Sequence, residues 1–212
     1  MLSGEASAPA RSRTDATTGS LGRGVPCRPD DALHPERGEE GYGDAFGVAL
    51  HHLLEQCVQE RQGTPRPSAP VVASVLERAG AEASPESVAR VRQMVRRFVE
   101  SPIWDGIQAA SPVYTEYPLA HEASGGAVPV VNRGVIDLAY QRGETWILVD
   151  YKSDRIDAAA PDALPEDHPY VQQIRTYATG WEAVLDEPVG RAGLWFADAG
   201  RHLVVVGQDA FL

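Results

Sequence analysis

The sequence predicts an α/β fold in which a β-sheet is flanked by helices and a block of helices is inserted before the strands. Three observations carry this. From Asp44 to about residue 100, apolar residues recur every three or four positions, the spacing of helices with one buried face. From Val113 the repeat becomes strand-like through three consecutive segments. One more helical stretch and two short strands complete the order.

Residues 1 to 40 are rich in Gly, Pro, Ser, Ala and mixed charge without apolar periodicity, so they cannot bury enough surface to offset ordering entropy. Disorder is expected there, with one domain over residues 41 to 212. Asp44 is a suitable N-cap for a first helix over 44 to 61, carrying Phe46, Leu50, Leu53, Leu54, Cys57 and Val58 until Gly63, Pro65 and Pro67 end it. A helical insert at 62 to 110 holds a second short helix at 69 to 79. A third opens at Ser84-Pro85-Glu86, with Ser as cap and Pro at the first helical position, and its stripe is Val88, Val91, Val95 and Phe98. Strands follow at 113 to 120, 128 to 140 and 145 to 151, the last two joined by a turn at Arg142-Gly143-Glu144 to form a meander. After a loop at Pro165 to Pro169, the helix Tyr170 to Leu185 is followed by strands at Arg191 to Ala197 and His202 to Val206.

The chain has 212 residues, 43% of them hydrophobic, which suffices for one domain with its own core. Cys27 and Cys57 offer neither a disulfide framework nor the paired spacing of a metal site, and both read as free thiols in a reducing compartment. No run approaches about 18 apolar residues and the N-terminus lacks the apolar core of a signal peptide, so a cytoplasmic protein without a membrane partner is expected. The net charge of -11 argues against a general nucleic-acid binder. Residues 61 to 97 nevertheless hold seven Arg against three Glu. A basic arm and a solvated, ion-paired helix face both account for that local excess.

Arginine outnumbers lysine eighteen to one, and the single lysine, Lys152, ends the tripeptide Asp150-Tyr151-Lys152 after the apolar run Trp146 to Val149. Lysine is a compact charge with movable donors, whereas arginine is a rigid fork, so the exception points to chemistry. A guard on a strand edge is the plainer alternative. Asp137 sits within the apolar Gly134-Val135-Ile136-Asp137-Leu138, where a charge is costly unless paired or bound to metal. If the two strands pair around the turn at 142 to 144, Asp137 and Asp150 lie at one level of the sheet with Lys152 on the face of Asp150. Two carboxylates and a lysine suit a divalent cation and an attacking water in phosphodiester hydrolysis. A simple Asp150–Lys152 salt bridge is the competing account.

Two further motifs accompany this cluster. The first helix contains Gly47-Val48-Ala49-Leu50-His51-His52-Leu53-Leu54-Glu55, and the last helix contains Gln173-Ile174-Arg175-Thr176-Tyr177, with Gln173 and Tyr177 on one helical face. Together with Asp137 and Asp150-x-Lys152, these resemble the PD-(D/E)XK nucleases, and more narrowly the RecB/AddA-like nuclease domains of helicase-nuclease complexes. The resemblance covers residues 43 to 206 and implies a restriction-endonuclease-like core with a central mixed β-sheet. It implies Mg (or Mn) held by His51, Asp137, Asp150 and the main-chain carbonyl of Tyr151. Catalytic roles fall to Asp137, Asp150, Lys152 and Gln173, with Glu116 and Tyr177 as accessory residues. The implied activity is exonucleolytic cleavage of DNA, single-stranded and unwound by a helicase, in double-strand break repair. A nuclease-like domain that binds DNA or partner subunits without turnover is the alternative.

Two departures from the family are informative. Some relatives hold an iron-sulfur cluster through four cysteines, and two cysteines exclude that here. A Walker A loop needs a lysine, and the only one is committed at 152, so any helicase or ATPase is a separate partner or lies outside this chain.

Overall fold

The computed structural model describes residues 44–123, 130–156 and 164–207. The expected disorder of residues 1–40 lies outside these, as do Cys27 and the expected strand start at 128.

Helix α1 (Asp44–Gln59) buries Leu50, Leu53, Leu54, Cys57 and Val58, the stripe that its spacing requires. Helices α2 (Ala69–Ala79) and α3 (Pro85–Val99) follow, α2 ending at Gly80 in the left-handed conformation that relieves a helix C-terminus. Ser84 caps α3 by accepting from the Ser87 N–H at 3.1 Å. A fourth helix, α4 (Pro102–Ala109), was not expected, although Ser101-Pro102 repeats the Ser-Pro start of α3 and the Ser101 hydroxyl accepts from the Trp104 N–H.

Strands β1 (Val113–Ala123), β2 (Val130–Arg142), β3 (Thr145–Lys152), β4 (Val189–Phe196) and β5 (Arg201–Val206) form one sheet in sequence order. All neighbours are antiparallel except β3 and β4, whose parallel pairing needs the crossover that α5 (Pro169–Leu185) supplies. The sheet is therefore mixed and flanked by helices, as expected. Strand β1 runs three residues past the expected end, and β4 begins two residues earlier than expected.

Alternation along the strands divides the core. Leu138, Tyr140, Ile147, Val149, Tyr151 and Trp195 face α1 to α4, while Ala139, Leu148, Leu194 and Phe196 face α5 with Trp181. Among the described residues no helix is long and apolar enough to cross a membrane.

Candidate active site

The site begins where β2 and β3 part. Their ladder ends at the pair Leu138↔Val149, which puts Asp137 and Asp150 at the same level just beyond it. In place of a ladder bond, the Tyr151 N–H donates to Asp137 Oδ2 at 2.5 Å. Both carboxylates are buried, and a buried charge persists only with partners.

Asp137 finds its partner on the helical side. Its Oδ1 lies 3.2 Å from His51 Nδ1, and the half-buried His51 ring also meets Tyr151 edge to face. Gly47, one turn before His51, lets α1 approach the end of β3: a Cβ there would stand 3.2 Å from Ser153 Oγ. Burial pulls the imidazole of His51 down, but the charge and hydrogen bond of Asp137 outweigh it and lift the pKa to about 9. Burial likewise opposes ionisation of Asp137, yet His51 and the Tyr151 N–H hold it below the usual carboxylate range.

Asp150 finds its partner on the other face. Lys152 Nζ lies 2.7 Å from Asp150 Oδ2 and donates to Gln173 Oε1 at 2.7 Å. Burial pushes the Asp150 carboxyl up, with Lys152 pulling it back and Asp137 adding to the rise. The two carboxylates thus diverge, Asp137 held charged and Asp150 held back from ionising. Gln173 Nε2 in turn donates to Tyr177 Oη at 3.2 Å, so the two residues of the Gln-x-x-x-Tyr motif form a relay ending on the lysine.

Glu116 completes the cluster by an unusual route. Its φ of 48° is left-handed, in the middle of a strand and at a non-glycine residue, a conformation that persists only where its surroundings hold it. The register on either side, Thr115↔Leu138 and Tyr117↔Ile136, leaves Glu116 opposite Asp137. Tyr114 and Tyr117, three residues apart, both contact Trp181 on the α5 face, a spacing that regular alternation forbids. Ligand atoms of His51, Glu116 and Asp137 all lie within 4.8 Å of one another. One imidazole nitrogen and two carboxylates form a donor set suited to a divalent cation.

All eight residues singled out in the sequence lie in this region or pack against it. The grouping is finer than expected: Glu116, an accessory residue in the sequence, stands with His51 and Asp137, while Asp150 is engaged by Lys152. Tyr170 and Asp154 were missed. The Tyr170 ring lies under Lys152 Nζ at 4.1 Å, and its hydroxyl donates to Asp154 Oδ2. Their sequence signal was adjacency alone, Tyr170 three before Gln173 and Asp154 two after Lys152.

A family model described as the PD-(D/E)XK nuclease superfamily matches residues 27–208. The chain belongs to this superfamily. Within it, similar proteins are named as ATP-dependent helicase/nuclease subunits. That of Moorella thermoacetica is 29% identical over 156 residues, covering 73% of this chain and 10% of its own length. That of Listeria welshimeri is 24% identical over 179 residues, covering 77% and 14%, and that of Heliobacterium modesticaldum 26% over 127 residues, covering 52% and 9%. The chain therefore spans about a tenth of the length of these relatives. As a PD-(D/E)XK nuclease-like domain, it has a restriction-endonuclease-like α/β core and a His-Glu-Asp cluster able to hold a divalent metal.

Proposed function

We propose that this domain is a Mg- or Mn-dependent DNA nuclease that degrades single strands delivered by a helicase during double-strand break repair. The observation that carries the reading is Lys152, a buried ammonium fixed by Asp150 and Gln173 beside the Asp137 fork. His51, Glu116 and Asp137 would hold the metal, with Asp150 and the Tyr151 carbonyl as the further ligands of the family pattern. When bound, the metal offsets phosphate charge and lowers the pKa of a coordinated water. Lys152 orients the attacking water or a phosphate oxygen, and Gln173 and Tyr177 keep its ammonium aimed. The helicase context is drawn from the names of the relatives, ATP-dependent helicase/nuclease subunits.

The test is cleavage of end-labelled single- and double-stranded DNA with Mg or Mn. Asp150→Ala and Lys152→Ala should each abolish cleavage while circular dichroism stays that of the native fold. Full activity in either variant overturns the assignment. End-labelled products also separate exonucleolytic from internal cutting.

A further inference from the structure

We propose that the groove between α3 and the Pro65–Pro67 loop is a phosphate-binding track for a nucleic-acid strand, separate from the carboxylate site. The inference rests on the nuclease reading and extends it to how substrate is held.

The arginines of residues 61 to 97 are sorted by their positions. Arg90 pairs with Asp198, and the Arg97 side chain lies against Gly200, so both are engaged by the β4–β5 turn. Arg78 bonds the Ser74 carbonyl of its own helix. Arg92 and Arg96, four apart and both exposed, share the other face of α3 and converge with Arg66 on a cavity of about 360 Å³. Pro65, Pro67, Ala89, Gln93 and Val95 supply the rest of the wall.

The wall chemistry favours an anion. Proline has no N–H, so Pro65 and Pro67 add no backbone donors, and polar recognition falls to the guanidinium groups and Gln93. Arg92 Nε donates to the Pro67 carbonyl at 3.3 Å, which fixes its plane against the loop. Glu100, which does not line the cavity, sits 3.4 Å from Arg66 with both side chains more than half exposed, a pair that a phosphate displaces at little cost. Three forked cations on a chain of net charge -11 match the paired oxygens of phosphodiesters. A protein so acidic repels DNA elsewhere, so a localised cationic groove is where a strand gains most.

The test measures binding of a fluorescein-labelled 20-nucleotide oligodeoxythymidine in EDTA, so that no cutting occurs, across a salt series. Arg66→Gln/Arg92→Gln/Arg96→Gln should lower the slope of log Kd against log salt by about 2, since each single-strand phosphate contact contributes about 0.7. The corresponding triple lysine variant should keep the slope. All three side chains are exposed, so the thermal midpoint should stay within a few degrees; if it falls further, Arg96→Gln alone should lower the slope by about 0.7. Wild-type affinity and slope in the folded glutamine variant, or no wild-type binding in EDTA, overturns the proposal. So does unchanged DNA binding with lost binding to a polyglutamate peptide, which assigns the groove to an acidic protein segment. Absence of cleavage by the wild type with Mg or Mn overturns the nuclease reading instead, while the EDTA measurement still reads the groove.

Discussion

The ring of Tyr177 lies so close over Gly134 that a Cβ built on Gly134 would stand 2.5 Å from its Cε1. Gly134 opens the Gly-Val-Ile-Asp run and Tyr177 closes the Gln-x-x-x-Tyr motif, so two separate sequence signals meet at one contact. Gly134→Ala should push Tyr177 outward and pull Gln173 off Lys152. We expect cleavage to fall tenfold or more, with a stability loss of about 1–3 kcal/mol from overpacking. Denaturant melts and rates in parallel check this, and an unchanged rate removes the relay from catalysis.

Because Lys152 is the only lysine, ¹³C-lysine labelling gives a single side-chain signal set. The Tyr170 ring under Nζ should shift the Lys152 ε-methylene protons upfield. Tyr170→Phe should keep that shift and most of the activity, whereas Tyr170→Leu should lose both. A signal that is the same in all three proteins would mean that Tyr170 does not hold the lysine.

Metal binding to the folded state alone raises the thermal midpoint, by the equivalent of about 2.7 kcal/mol at a hundredfold excess over Kd. Mg or Mn should therefore stabilise the wild type, and Asp137→Asn should remove the increment. Glu116→Gln should reduce it, because Glu116 stands within 4.8 Å of the other two donors. An increment undiminished in Glu116→Gln assigns that carboxylate another role.

Burial, with Glu60 adding to it, pushes the Cys57 thiol up to about 12. The unfolded chain gives up this proton near the ordinary thiol range while the folded chain keeps it, so stability present below about pH 9 is lost as pH rises toward 12. Tyr140, also raised to about 12 chiefly by burial, acts in the same direction. In a Cys27→Ser background, Cys57 should resist a thiol reagent at pH 8 until denaturant is added. Adding Cys57→Ala should flatten the alkaline loss of stability without removing the Tyr140 share.

The residues that reach the site along regular elements were legible. His51 follows from the resemblance of the Gly47-to-Glu55 run to the family's first motif, with helical spacing in agreement, Asp150 and Lys152 from strand alternation, and Gln173 and Tyr177 from the resemblance to the Gln-x-x-x-Tyr motif. Glu116 was legible only as an accessory, because its place depends on one left-handed residue inside a strand, and local propensity gives no sign of that. The sorting of the arginines was hidden for a different reason: which face of α3 meets the β4–β5 turn is decided by packing more than a hundred residues later in the chain. Helix α4 escaped through its brevity, eight residues giving little periodicity to read.

The division of the core into two faces has a consequence for when the domain becomes active. His51 arrives with the helices of one face and Gln173 with the helix of the other, while the sheet between them contributes Glu116, Asp137, Asp150 and Lys152. A nascent chain with either layer undocked lacks His51 or the Gln173–Tyr177 relay, so its site is incomplete. If the domain cuts as proposed, cleavage competence should thus appear last in refolding, after secondary structure and after the burial of Trp181.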